Sequence, residues 1–447
     1  MTQSPPTATE SPVAGRTHQL VEAPITPTLL RLAMPNVVVM MAGAIRAGTW
    51  HEAARRPRER RSTMKKIARD GARLAYEKTG SGGPPLLFAH GLSCGYAMLG
   101  VALLLMASAC QPTPVRAVGE AVVANPVVDE CAGPLHTPPA PPPAGFTHRT
   151  ADVNGVNMHY VVGGDGPDVI VLLHGWPENW YAWRLVMPSL ARQFTVLAID
   201  LPGLGDSHGS APSYDAKTVA GFVHGLVADA LGYQHVHVVG HDWGAGVAFA
   251  YAAFHREAAS SLAMMGFPIL PGPGTDEQAF RGQLWWLGFQ AVPQLPEQLV
   301  AGRQRTYLSW FFEHAVAQGN RIDPTAVTEY VRTYCSPSVL HNGFELYRSI
   351  PADASDNASL TANKLTLPVL YMDQTARSSR LTAQPRDPEA QKAQLLARIQ
   401  PMVAGHISVQ LVPDSGHWVP EENPDFVSSQ LTAFVDTAKR QVSRSKP

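Results

Sequence analysis

Cysteine is scarce, charge is sparse, and the apolar runs are short; each shortage closes a class of function. The four cysteines, Cys94, Cys110, Cys131 and Cys335, are too few and too scattered for a disulfide framework or a zinc site. Charged residues make up 16% of the chain, and 35 basic against 36 acidic side chains leave a net charge of −1. No basic field therefore attracts nucleic acid, and no long charge block marks an interaction tail. One basic cluster, Arg55 to Arg61 with Lys65 and Lys66, stands apart near the start. The early apolar stretch from Leu29 to Ile45 is interrupted by Arg31, Pro35 and Asn36, and its 17 residues fall short of a membrane span. What remains is an ordinary globular balance with 45% apolar residues. Proline is the exception: there are 39, with much of the excess before residue 145. The N-terminal third is thus a different kind of polypeptide from the rest.

That third reads as a set of pieces. Residues 1–63 form an extension, rich in Ser, Thr and Pro at its start and partly helical later. Its segment HQLVEAPITPTLLRLAMPNVVVM resembles the opening of a MATE-type exporter, broken off within the first helix. Residues 64–97 hold a truncated copy of a segment found again further along the chain. DGARLAYEKTGSGGPPLLFAHG (70–91) aligns without gaps on NGVNMHYVVGGDGPDVIVLLHG (154–175), matching Gly71, Tyr76, Gly80, Gly82, His90 and Gly91 to Gly155, Tyr160, Gly164, Gly166, His174 and Gly175. Both read as a hairpin, a Gly-rich turn and an apolar strand ending in His-Gly. The copy then stops, with no nucleophile turn of its own. Residues 98–144 begin with MLGVALLLMASAC, which resembles a bacterial lipoprotein signal ending at Cys110, and continue into the Pro-rich tether HTPPAPPPAG. On this reading a natural protein starts at Met98, is exported, and carries a lipid anchor on Cys110. Otherwise it is cytoplasmic.

From residue 145 the pattern becomes regular. Apolar strands VIVLL (169–173), FTVLAID (194–200) and VHVVG (236–240) alternate with helical stretches, which implies a mostly parallel sheet covered by helices on both faces. VHVVG runs into Gly240-His241-Asp242-Trp243-Gly244 and then the small-residue helix AGVAFAYAAF. This is a G-x-D-x-G form of the nucleophile elbow, in which glycines permit a sharp strand-to-helix turn and the helix N-terminus stabilises charge at the exposed side chain. The competing reading is an aspartate that merely caps the helix. An Asp at this place changes the chemistry. A carboxylate with an ordinary pKa of about 3.9 is ionised at neutral pH without a base. It suits displacement at a saturated carbon, giving an alkyl ester that water later hydrolyses.

His174-Gly175-Trp176-Pro177 ends the VIVLL strand. With HGWP about 65 residues before GHDWG, the chain over residues 145–440 resembles the epoxide hydrolases of the α/β-hydrolase superfamily. The resemblance implies an α/β-hydrolase fold with core halves at 145–266 and 366–447 and a helical cap at 267–365. It also implies an oxyanion hole from the backbone N–H groups of Trp176 and Trp243. DLPGLGDSHG (200–209) matches a family loop in which Asp200, Gly203, Gly205 and Ser207 read as turn chemistry.

Strand ISVQLV (407–412) leads to His417, which comes after the nucleophile in chain order as hydrolase logic requires. An imidazole of ordinary pKa about 6.5 suits the deprotonation of the water that attacks the Asp242 ester. His208, His224, His235, His237 and His241 read as turn, surface or strand histidines without metal-ligand spacing. The acid that orients His417 is Asp373, after KLTLPVLYM, with Asp387 and Glu389 behind it; LAMMGFP (262–268) offers no carboxylate. Within the aromatic-rich insertion, the resemblance singles out Tyr347 in GFELYR as donor to the epoxide oxygen. Trp286 or Tyr307 would complete the substrate site.

The expectation is a cofactor-free, metal-free epoxide hydrolase whose partners are a small epoxide and water. Its oligomeric state is open. A haloalkane dehalogenase using the same nucleophile is the alternative, with indole N–H groups of Trp243 and Trp176 or Trp286 for the halide. A catalytically silent ligand-binding fold is the third reading.

Overall fold

The computed structural model describes residues 65–69, 72–76, 131, 137–266, 284–375 and 387–445. The chain divides into two units, Met1–Glu120 and Ala121–Pro447. In the first, β1 (Lys65–Arg69) and β2 (Ala72–Tyr76) pair antiparallel in a two-stranded sheet of their own. This is the hairpin expected for the truncated copy. The exporter-like segment, the signal-like run with Cys110 and the rest of the copy lie outside the described residues.

The second unit is built on an eight-stranded sheet of order β10-β9-β8-β7-β5-β6-β4-β3. β3 (Phe146–Val153) and β4 (Val156–Gly163) form the second hairpin, and β4 pairs antiparallel with β6 (Thr195–Ile199). β5 (Val169–Leu173), β6, β7 (Val236–His241), β8 (Ala259–Met265), β9 (Val369–Gln374) and β10 (Ile407–Val412) are parallel neighbours. The α/β-hydrolase expectation of a mostly parallel sheet holds. β5 and β7 are buried at every position, as continuous apolar runs in a doubly covered sheet should be. Fully burying each Val, Leu or Ile here contributes about 1.5–3 kcal/mol.

Helices α1 (Met187–Leu190), α2 (Ala216–His224) and α3 (Trp243–Phe254) fall within the first half of the core. Ten of the twelve residues of α3 are buried, which its small side chains allow. Between β8 and β9 the described residues form six helices of an insertion: α4 (Trp285–Gln290), α5 (Leu295–Val300), α6 (Gln304–His314), α7 (Pro324–Tyr334), α8 (Pro337–Arg348) and α9 (Ile350–Ser359). Then α10 (Pro388–Ile399) precedes β10, and α11 (Val419–Glu422) and α12 (Pro424–Ser445) come after it. No helix of the described residues is long and apolar enough to cross a membrane.

One expectation fails. Cys131 and Cys335 are joined in a disulfide with Cα atoms 5.3 Å apart, across a sequence separation of 204. Spacing along the chain could not reveal it, because the fold carries the segment ahead of the core back to the corner between α7 and α8. The same corner is held by Arg332, whose Nη1 donates to the Thr137 carbonyl at 3.2 Å and whose two Nη atoms reach Asp206 of the core.

Candidate active site

β5 and β7 are adjacent, with Leu173 opposite Gly240, and the chain leaves β5 toward β6 on the side away from β7. The crevice past the carboxyl ends of such strands is where open α/β sheets bind ligands. Asp242 sits there at φ 51° and ψ −124°, a backbone region costing roughly 1–3 kcal/mol for a residue with a side chain. Its amide donates to the Met265 carbonyl at 2.9 Å, and its side chain makes no capping bond to α3. The helix-cap reading is thereby removed. The flanking glycines answer to close approach: a Cβ on Gly175 would stand 2.4 Å from Asp242 Cβ, and one on Gly244 would stand 2.3 Å from the Leu173 carbonyl oxygen. That clearance lets the Trp176 amide donate to Asp242 Oδ1 at 2.9 Å.

His417, in the loop after β10, places Nε2 3.4 Å from Asp242 Oδ2. Its backbone is fixed at both ends. The amide donates to the Ala315 carbonyl of the insertion at 2.7 Å, and its carbonyl accepts from His241 Nε2 at 2.8 Å. His241 Nδ1 in turn donates to Glu178 Oε2 at 2.9 Å. A carbonyl and a carboxylate both accept, so His241 must carry both ring protons. Burial alone would lower its pKa, but the charge and hydrogen bond of Glu178 raise it above the ordinary histidine value. Burial likewise pushes the Asp242 carboxyl up; the hydrogen bond from His417, the two histidine charges and the Trp176 N–H outweigh this and hold it below the usual carboxylate range. Asp242 is an anion ready at neutral pH.

Facing this polar floor is a cavity of about 160 Å³, walled mainly by Trp176, Trp243, Trp286, Leu287, Phe311 and Tyr347. An apolar cavity of about 150 Å³ accommodates benzene. Tyr347 is 3% exposed, and its ring lies 4.8 Å from that of Trp243 and 5.5 Å from that of Trp176, both edge-on. Burial and the Asp242 charge push its phenol well above the ordinary value near 10, while a hydrogen bond from the Trp243 side chain pulls it down.

With this geometry in hand, the relatives are informative. The profile of the alpha/beta hydrolase fold family matches residues 168–317. A soluble epoxide hydrolase from Corynebacterium sp. (strain C12) is 33% identical over 305 residues, covering 65% of this chain and 97% of that protein. The chain belongs to the epoxide hydrolase family of the α/β-hydrolase superfamily. It is a hydrolase. The crystal structure of wild-type Cfl2 from Burkholderia cenocepacia superposes with a TM-score of 0.57 at 34% identity, covering 65% of this chain and 96% of that one. A fluoroacetate dehalogenase from Burkholderia sp is 31% identical over 215 residues, 46% of this chain and 69% of that protein.

Other members of the expected epoxide-hydrolase site fare differently. Asp373 is the penultimate residue of β9 and lies in the charge field of His417, but its hydrogen bonds come from Gln391 Nε2 at 3.2 Å and a backbone amide rather than from the imidazole. Burial lifts its pKa to about 6. Asp387 caps α10 and Glu389 pairs with Lys392 at 3.0 Å, both exposed, so the runner-up acids serve that helix. Trp286 lines the cavity; Tyr307 stands behind it, accepting from Gln290 Nε2 at 2.8 Å. Asp200 does what its loop reading implied, accepting from the amides of Trp180 and Asp206 and from His159 Nδ1. His159, Asp200 and Asp206 are the one trio among the described residues close enough to share a metal ion, yet Asp206 already takes two N–H bonds from Arg332. The sequence reading missed the His241–Glu178 pair. Its signal was present: Glu178 closes HGWPE, and His241 stands in the GHDWG turn one residue before Asp242.

Proposed function

We propose that this hydrolase opens epoxides to vicinal diols through a covalent ester on Asp242. The observation that carries the reading is the division of labour between the two oxygens of Asp242. Oδ1 is held by the Trp176 amide and becomes the ester carbonyl oxygen. Oδ2, on the His417 side, attacks a ring carbon and breaks its C–O bond. Tyr347, directly across the cavity, gives its proton to the departing oxygen. His417 then takes a proton from water as that water adds to the ester carbonyl, and the amides of Trp176 and Trp243 stabilise the resulting oxyanion. The tetrahedral species breaks its C–O bond to the diol oxygen, which takes the second proton of the added water. Asp242 is regenerated as carboxylate, and the proton on His417 returns to the Tyr347 phenolate through solvent. Asp373 acts on His417 by charge. The helical insertion serves as the cap, and Trp286 shapes the substrate end of the cavity.

Single turnover with enzyme in excess in H₂¹⁸O tests this. The label should enter the Asp242 carboxylate while the first diol carries unlabelled oxygen. A first diol labelled directly from solvent would remove the ester from the mechanism.

The Cys131–Cys335 disulfide favours an oxidising compartment and so supports the exported reading, with Cys110 as anchor. Intact mass and fractionation of the natural product check this; a soluble cytoplasmic protein retaining residues 1–97 would overturn it.

A further inference from the structure

Two chemistries share an aspartate nucleophile and a histidine base and differ only in what the leaving group needs. A departing alkoxide needs a proton. A departing halide needs none, but it needs N–H or O–H donors to hold its charge.

The wall around Tyr347 contains both provisions. The Trp243 and Tyr347 rings meet edge-on at 4.8 Å, and across this contact the Trp243 side chain donates to the Tyr347 phenol. An indole N–H can only donate, so the phenol oxygen is the acceptor and its own proton is turned elsewhere. Trp176 sits against Tyr347 on another side. It is 3% exposed and lines the same cavity, and its Nε1 has no hydrogen-bond partner among the described residues. The Trp176 Nε1 lies by Gly343, one helical turn before Tyr347 on α8, where an added Cβ would stand 3.1 Å from it, so two indoles contact one phenol ring. One indole N–H is occupied by that phenol and the other is unpaired.

We propose that the Trp243–Tyr347 hydrogen bond selects epoxides over halides at this site, and that removing the Tyr347 hydroxyl uncovers a haloalkane dehalogenase. The inference rests on the epoxide reading above. Without the hydroxyl, no acid remains for the alkoxide, and the Trp243 N–H loses its acceptor. A buried N–H left unpaired is costly, and a halide ion accepting from the indoles offsets that cost. The reaction balances. Asp242 carboxylate displaces halide from carbon to give an alkyl ester and a free halide ion; water then adds to the ester, releasing alcohol and a proton and restoring the carboxylate.

The test compares the full chain with Tyr347→Phe, Trp243→Phe and the double variant, on styrene oxide and 1,2-dibromoethane, tracking diol and bromide separately. Tyr347→Phe should lose about 100-fold in diol formation and gain about 10-fold in bromide release. Adding Trp243→Phe should abolish that gain. Trp243→Phe alone, which keeps the backbone amide, should lower kcat for styrene oxide about 10-fold with little change in KM. The loss should be smaller for para-nitrostyrene oxide, whose alkoxide depends less on protonation. The proposal is overturned by a Tyr347→Phe enzyme that releases bromide no faster than wild type, or by a gain that survives Trp243→Phe. Should Tyr347→Phe fail to fold, full diol activity in Trp243→Phe overturns it instead. Failure of the epoxide reading looks different: the unmodified chain then makes no diol at all.

Discussion

The two walls of the cavity are built on opposite principles. On the core side the groups around Asp242 are tied by polar contacts: the Trp176 backbone N–H on Asp242, His417 beside Asp242, His241 between the His417 carbonyl and Glu178. On the insertion side the contacts are mostly aromatic edges and faces, as where Phe311 meets Trp176 at 4.9 Å and Trp286 at 5.5 Å. The core wall fixes atoms to within a hydrogen bond, because chemistry on a carboxylate tolerates little misplacement. The insertion wall fixes only shape, and through Tyr347 one donor. The difference teaches where precision is concentrated. It also ranks the ways to disturb the site.

The sharpest break is Asp242→Asn, which keeps volume and the Trp176 contact but removes the nucleophilic charge. Diol formation should fall by about 10⁴-fold or more, to background, and the melting temperature at pH 7 should fall, because folding holds the Asp242 pKa down and so favours its charged form. Residual turnover within 100-fold of wild type would mean water attacks the epoxide directly. Asp373→Asn should cost about 100-fold in kcat, with ester accumulating on Asp242 if Asp373 supports His417. The pH dependence is specific. The folded pKa of Asp373, about 6, lies above its ordinary value of about 3.9, so the native protein holds the extra proton and loses stability as pH rises from about 4 to about 6. The asparagine variant should therefore melt higher than wild type at pH 7, and the gap should close below pH about 4. Wild-type kcat should rise through pH about 6, a limb absent from the variant.

Glu178→Gln probes the layer behind His417. Removing one partner of a buried ion pair costs about 3–5 kcal/mol, while kcat should fall only about 10-fold because His241 can still reach the His417 carbonyl. His241 has its pKa raised, so the pair's stabilisation is complete below about pH 6.5 and fades as pH climbs through the folded value. Thermal melts across pH 6 to 10 should show wild type and variant converging. Parallel curves would assign the stability to packing rather than charge.

How much of the site was legible depends on how local each signal is. HGWP, GHDWG and the His417 loop are short, and each needs glycine or proline at fixed places, so the core wall could be read before any coordinates. The hairpin at Asn154-Gly155, with its echo at Asp70-Gly71, was legible for the same reason. The insertion wall is not local. Tyr347 and Trp286 were reached by resemblance, while Tyr307 was displaced by a hydrogen bond to Gln290 that no spacing announces. The acid stayed open because a carboxylate that acts through charge leaves no motif. The Cys131–Cys335 link was misjudged because its ends are neighbours only after the core has formed.

That link supplies the gentlest perturbation. It joins the segment ahead of β3 to the insertion at Cys335, next in sequence to Tyr334, whose ring lies 6.3 Å from Trp176. If the insertion wall fixes only shape, Cys335→Ser should leave kcat and KM within about twofold, since Arg332 still holds the corner through Asp206. Stability should nonetheless drop by about 2–4 kcal/mol, the usual worth of a cross-link that restrains the unfolded chain. Denaturant melts of wild type with and without dithiothreitol should reproduce the loss, and the variant should be indifferent to reductant. A tenfold fall in kcat with unchanged stability would invert the comparison. The corner would then be setting the position of Trp176 through Tyr334, and precision would extend from the core into the insertion.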